Sequence, residues 1–152
     1  GFEAGGHRAS FLTEDMRAQP GTFALVPQIV DAVDVPVIAA GGVADGRGMA
    51  AALALGAAGV QVGTAYLRSP ESLIPDFHRQ ALAAARDDGT AVTNLFTGRP
   101  ARGIYNRLMT ELGPMSAAAA PFPTADGETG ANFSNLWAGQ ATPLAKALGA
   151  ER

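Results

Sequence analysis

The stretch Val35-Pro36-Val37-Ile38-Ala39-Ala40-Gly41-Gly42-Val43-Ala44-Asp45-Gly46 governs the reading of this chain. Six uncharged residues, three of them β-branched, run into paired glycines. A continuous apolar run of that length fits a parallel strand covered on both faces. Asp45 then stands where its carboxylate can cap a helix over residues 46–55, and Gly56 stops that helix. The Ala-rich segment Met49-Ala50-Ala51-Ala52-Leu53-Ala54-Leu55 allows the helix to pack closely on a sheet. Gly59-Val60-Gln61-Val62-Gly63-Thr64 reads as the next short strand. Upstream, Leu25, Val26, Ile29, Val30 and Val33 recur at helical spacing over residues 22–33, which accommodates Pro27 only in a first turn. Helix, strand, helix, strand, joined by a few residues each time, is the βα repeat of a parallel sheet or barrel.

The remainder extends that alternation. Pro70-Glu71-Ser72 opens a predicted helix that runs through Phe77, Leu82 and Ala85 toward Arg86. Residues 90–96 read as a strand and residues 104–112 as a helix. From residue 114 to 130 the composition shifts to Ala, Pro, Gly and Thr, which predicts a flexible surface excursion. Leu136-Trp137-Ala138-Gly139-Gln140 follows, then a short helix over 143–148. Roughly three strands are recognisable, whereas a closed (β/α)8 barrel takes about 250 residues. The expected fold is α/β, the carboxyl-terminal half of a TIM (β/α)8 barrel, with a smaller open sheet as the alternative. Residues 1–113 form the half-barrel, 114–130 the excursion, and 131–152 a segment packed back on it. Half a barrel leaves two strand edges unpaired, which favours self-association into a homo-oligomer.

Composition narrows the chemistry. The chain has 152 residues, 47% hydrophobic and 16% charged, the profile of an ordinary soluble globular protein. A net charge of −3 offers no cationic reservoir for a phosphate backbone, so nucleic acid is not an expected partner. Cysteine is absent, which removes disulfides, thiolate metal sites and cysteine nucleophiles, and suits a reducing compartment such as the cytoplasm. No apolar run reaches the roughly 18 to 20 residues of a membrane span. The opening Gly1-Phe2-Glu3-Ala4-Gly5-Gly6-His7 lacks the regions of a signal peptide and reads as the middle of a site, so the chain is expected to be a fragment.

Three clusters carry the functional reading. At Gly41-Gly42 backbone N–H groups free of Cβ obstruction can approach a phosphate, with a helix start nearby. At Gln61-Val62-Gly63-Thr64 the next strand ends on another open N–H and a hydroxyl. A glycine after one strand is usually just a turn. Two at the same end of adjacent strands favour a shared phosphate site, as between neighbouring barrel strands. The third cluster is Glu3-Ala4-Gly5-Gly6-His7-Arg8. There the imidazole of His7 is either a group projecting into a cleft, able to hydrogen-bond or take a proton, or a solvated loop residue. His78, within a helical pattern beside Arg79, is expected to be exposed or capping. Arg99 and Arg102 are read as loop arginines, either solvated or meeting an anion. Trp137 is expected to anchor the tail in a core, with the adjacent Gly139 and Gln140 near the pocket. Glu14-Asp15 and Asp87-Asp88 read as solvated turns, and no spacing suggests a metal site.

In order and nearly without gaps, GFEAGGHR, GTFALVPQIVDAV, VPVIAAGGVADGRGMAAALALGA and GVQVGTAYLRSPES resemble the nitronate monooxygenases, formerly 2-nitropropane dioxygenases. TGRPARGIYNRLM and LWAGQ look like the bacterial class I members. The resemblance covers the carboxyl-terminal portion of that family and implies a TIM barrel that binds FMN. It implies FMN contacts at Gly5, Gly41, Gly42, Gln61, Val62, Gly63 and Thr64, with Gly42, Gly63 and Thr64 on the phosphate, and places the catalytic histidine at His7. The implied reaction is oxidation of an alkyl nitronate, or of its parent nitroalkane, with O2 to a carbonyl compound and nitrite through a flavin semiquinone. An NAD(P)H-dependent FMN enoyl-ACP or quinone reductase shares the EAGGH and glycine signatures and stands as the alternative. A fragment that is inactive without its amino-terminal half is a third.

Overall fold

Two small sheets carry the strands of the computed structural model, which describes residues 1–13, 15–117 and 130–150. In chain order the elements are β1 (Gly6–His7), α1 (Thr22–Ala32), β2 (Ile38–Ala40), α2 (Gly46–Ala54), β3 (Gly59–Gln61), α3 (Thr64–Leu67), α4 (Asp76–Ala84), β4 (Thr90–Thr93), β5 (Ala101–Ile104), α5 (Arg107–Leu112) and α6 (Gly130–Phe133). β2 and β3 pair in parallel, Ile38 with Gly59 and Ala40 with Gln61. The second sheet has the order β1-β5-β4 and is antiparallel throughout.

The unit from β2 through β3 follows the sequence closely. The Asp45 carboxylate accepts from the N–H groups of Arg47 at 3.0 Å and Gly48 at 3.3 Å, satisfying two of the amides that a helix start leaves unpaired. Ala52 of α2 packs with Val26, Ala39 and Ala57 in one small core. Small side chains let the helix lie close to the two strands. Here the covered face ends: Ala39 is buried, but Ile38 is 56% and Val35 66% exposed. The strand therefore has one covered face, not two, because among the described residues its sheet is only two strands wide. For the same reason α1 buries Val26 and leaves Ile29, and Val33 just past its end, each 41% exposed.

Pro27 lies in the interior of α1, not in its first turn. Lacking an N–H, it leaves the carbonyl of Phe23 without its intrahelical donor, and Phe23 is an exposed residue whose carbonyl water can reach. Residues 70–75 are not helical; α4 begins at Asp76, with Pro75 at the cap position. β4 stops at Thr93, and the segment expected to be loop and helix start is instead β5, which is buried along its whole length. The expected helix over 143–148 is one 3-10 turn, Thr142–Leu144. The excursion of residues 114–130 lies largely in 118–129, outside the described residues.

His78 is the sharpest departure from expectation. It is 8% exposed, and its Nε2 lies 3.2 Å from the carbonyl oxygen of Trp137, tying α4 to the 136–140 segment. Burial pulls its imidazole below the ordinary value of 6.5, with the Trp137 carbonyl opposing. A histidine held neutral in the folded state binds fewer protons than in the unfolded chain. Its contribution is complete above pH 6.5 and is lost as pH falls below it. The urea midpoint is therefore expected to drop between pH 7.5 and 5.5, and His78→Gln to flatten that drop. An equally steep profile in the variant would show that another group sets the slope.

Candidate functional site

Because β2 and β3 are parallel and in register, Gly41-Gly42 and Val62-Gly63-Thr64 emerge at the same end. Between them lies a cavity of about 320 Å³. Its lining includes Gly5, Gly6, Gly41, Gly42, Gln61, Gly63, Thr64, Trp137 and Gly139 and contains no charged side chain. Gly41 (φ 101°) and Gly42 (φ 73°) occupy the left-handed side of backbone space, which an L side chain rarely adopts. A Cβ on Gly41 would also stand 2.9 Å from both the amide nitrogen and the Cβ of Ala4. The glycine pair thus lets the β2–α2 loop lie directly against the 3–5 segment.

Gly63 is different in kind. Its φ is −104°, and a Cβ built there meets nothing within 4 Å. Neither strain nor crowding requires glycine, yet the space beside it is open. Next to it, the Thr64 hydroxyl oxygen accepts from the Gly139 N–H at 3.0 Å, so its own proton is free to be donated. Two open loop amides and a hydroxyl with a spare proton, in a lining without carboxylates, suit a phosphate. The α2 terminus adds less than expected, since the Asp45 carboxylate already occupies the amides of Arg47 and Gly48.

The 1–8 segment is built as a rigid wall. The Glu3 carboxylate accepts from the Thr22 N–H at 2.7 Å and its hydroxyl at 3.1 Å, and the Glu3 carbonyl accepts from the Gln140 N–H at 2.9 Å. Arg8 is buried and donates to the carbonyls of Gly1 (2.6 Å) and Ala4 (2.7 Å) and to Gln19 (3.0 Å). Arg102, also buried, donates to the Phe2 carbonyl at 3.1 Å and to the Thr90 hydroxyl at 3.2 Å. Its guanidinium lies 4.7 Å from the centre of the Phe2 ring. Arg102 is therefore a strand residue that braces this wall, and not a loop arginine waiting for an anion. Arg99 does lie on an exposed loop, 5.9 Å from the Phe11 ring centre, and does not line the cavity.

His7 ends β1. Its exposed ring sits 5.5 Å from that of Trp137, and Trp137 in turn meets the fully buried Phe96 edge-on at 5.9 Å. The imidazole itself is not part of the lining; its neighbours Gly6 and Trp137 are. Of the candidate flavin contacts, Gly5, Gly41, Gly42, Gln61, Gly63 and Thr64 meet in one cavity. Val62 faces a neighbouring cavity of about 370 Å³ with Asp45 and Tyr66. Trp137, expected only to anchor the tail, also lines the cavity. A lone tryptophan two residues before a glycine was the available signal.

The family model for nitronate monooxygenase matches residues 1–151. This chain belongs to the nitronate monooxygenase family. It is 39% identical to the probable nitronate monooxygenase of Staphylococcus saprophyticus, with 99% of the chain aligned to 46% of that relative. It is 41% identical to the corresponding protein of Staphylococcus haemolyticus, with 95% aligned to 44%. Among solved structures, a nitroalkane oxidase from Streptomyces ansochromogenes superposes with a TM-score of 0.80 at 36% identity, covering 98% of this chain and 46% of that one. FabK from Thermotoga maritima gives 0.77 at 31%, covering 98% and 48%. The chain thus spans about half the length of the nitronate monooxygenases it matches, and among its described residues no helix is long and apolar enough to cross a membrane.

Proposed function

We propose that this chain is the carboxyl-terminal half of an FMN-binding barrel that oxidises alkyl nitronates with O2 to a carbonyl compound and nitrite. The observation that carries the proposal is the uncharged cavity where two parallel strands end on open backbone amides, with an imidazole held at its edge. Gly42 and Gly63 would offer N–H groups, and Thr64 its hydroxyl, to the FMN phosphate. Gly5, Gly41 and Gln61 would border the rest of the cofactor, with Val62 supporting the strand from behind. Bound there, FMN would supply the redox chemistry, accepting electrons from the substrate and passing them to oxygen.

The protein's own part is binding and proton handling. An anionic nitronate meets no carboxylate in the cavity lining, and the nearby Glu3 carboxylate is held by the Thr22 N–H and hydroxyl. His7 borders the nitronate and donates a hydrogen bond to it when protonated. From a neutral nitroalkane it takes the α-carbon proton, leaving the nitronate anion and an imidazolium. The Trp137 ring limits the positions the imidazole can adopt. The second reading is an NAD(P)H-dependent FMN reductase, supported by the likeness to FabK.

An anaerobic absorbance experiment separates the two. The FMN-loaded protein is expected to change its flavin spectrum on addition of propyl-2-nitronate alone, and to release nitrite once air is admitted. A flavin that responds only to NADPH would overturn the nitronate reading in favour of the reductase.

A further inference from the structure

His7 Nε2 lies 2.9 Å from the hydroxyl oxygen of Thr97, and that hydroxyl donates to the carbonyl oxygen of Arg99 at 3.3 Å. A hydroxyl has one proton, and a carbonyl can only accept. With the Thr97 proton directed to Arg99, the short contact to His7 is satisfied only if Nε2 carries a proton and donates it. We infer that Thr97 is a positioning residue that fixes His7 in its Nε2–H form and leaves Nδ1 as the atom that accepts a proton.

Thr97 is well placed to impose this. It directly follows Leu95 and Phe96, both with no exposed surface. The turn that carries it is closed by the Gly98 N–H donating to the Asn94 carbonyl at 2.8 Å. His7 is fixed from its own side by pairing with Ala101 and by the Arg8 N–H donating to the Pro100 carbonyl at 2.8 Å. The donor and acceptor are thus held by two backbone segments that are themselves hydrogen-bonded, so the contact costs little further ordering. In free imidazole both tautomers interconvert; a fixed acceptor at Nε2 selects one. The assignment of the proton stands on this geometry, whereas the use of Nδ1 as a base rests on the function proposed above.

Nitrogen-15 NMR of histidine-labelled protein reads the tautomer directly, and with two histidines in the chain the His78→Gln variant assigns the signals. At a pH where His7 is neutral, Nδ1 is expected at the position of an unprotonated ring nitrogen and Nε2 at that of a protonated one. The reverse pattern would overturn the inference whatever the activity. Thr97→Val should give signals averaged between the two forms, and Thr97→Ser should restore the wild-type pattern. With the FMN-loaded protein, Thr97→Val should lower kcat/KM for neutral nitroethane by about tenfold or more and leave that for ethylnitronate within about threefold, with Thr97→Ser restoring the first. Equal losses on both substrates would make Thr97 merely structural and sink the inference. A protein with no activity on either substrate would count against the proposed function while the spectra still decide the tautomer.

Discussion

Replacing Gly63 by valine is expected to weaken FMN binding by about 30-fold while lowering the urea midpoint only slightly. The position has an ordinary backbone, with φ −104°, and a side chain there would enter open space. Folding therefore loses only what valine costs at the α3 N-cap, which distinguishes it from every crowded glycine of the site. A phosphate seated between the β2 and β3 loops would collide with the new methyl groups and lose its approach to the Gly63 amide. One hydrogen bond to a charged group is worth about 2 kcal/mol, or about 30-fold. Riboflavin, which has no phosphate, is the control: flavin fluorescence titrations should show Gly63→Val weakening FMN far more than riboflavin. Equal weakening would place the phosphate elsewhere, and no weakening would leave this cavity without a flavin role.

The contrast between Gly63 and its neighbours also marks what was legible in the sequence. The local unit from Ile38 to Thr64 was readable because its signals are short-range: a capping Asp45, a stop at Gly56 and two apolar runs of strand length. What was not readable depends on long-range partners. Arg102 sits in a segment whose turn residues, Gly98 and Pro100, advertise a loop; its burial in β5 comes from pairing with β1 and β4, separated from β1 by some ninety residues. His78 looked exposed because Arg79 follows it, whereas its acceptor, the Trp137 carbonyl, is supplied by a segment 59 positions away. The antiparallel sheet escaped a reading based on βα alternation, since two-residue β1 has no periodicity to detect. The candidate site was legible at the glycines, where the sequence departs from ordinary strand and helix composition. The partners of His7 were not, because Thr97 and Trp137 carry no pattern that points to an imidazole.

Gly5→Ala should cost far more stability than a single methyl group ordinarily does. A Cβ on Gly5 would stand 2.6 Å from the carbonyl carbon of Ala138 and 2.7 Å from the Gly139 nitrogen. Both are backbone atoms, so no rotamer change relieves the overlap, and the 3–5 and 138–140 segments must separate. Separation strains the Gln140 N–H bond to the Glu3 carbonyl and the Gly139 N–H bond to Thr64, 2.9 and 3.0 Å long. The expected loss is about 3 kcal/mol, the upper end for overpacking, read as a lowered urea midpoint at unchanged slope. Gly139 supplies the test of cause. Its own Cβ would lie 2.9 Å from the Glu3 carbonyl oxygen and 3.2 Å from the Gly5 nitrogen, so Gly139→Ala opens the same crossing from the other side. Once either substitution has parted the segments, the second has less to disrupt, and the double variant should lose clearly less than the sum of the two. Strict additivity would mean that the two glycines answer to separate constraints, and an unshifted midpoint for Gly5→Ala would mean that the segments do not meet as closely as this geometry requires.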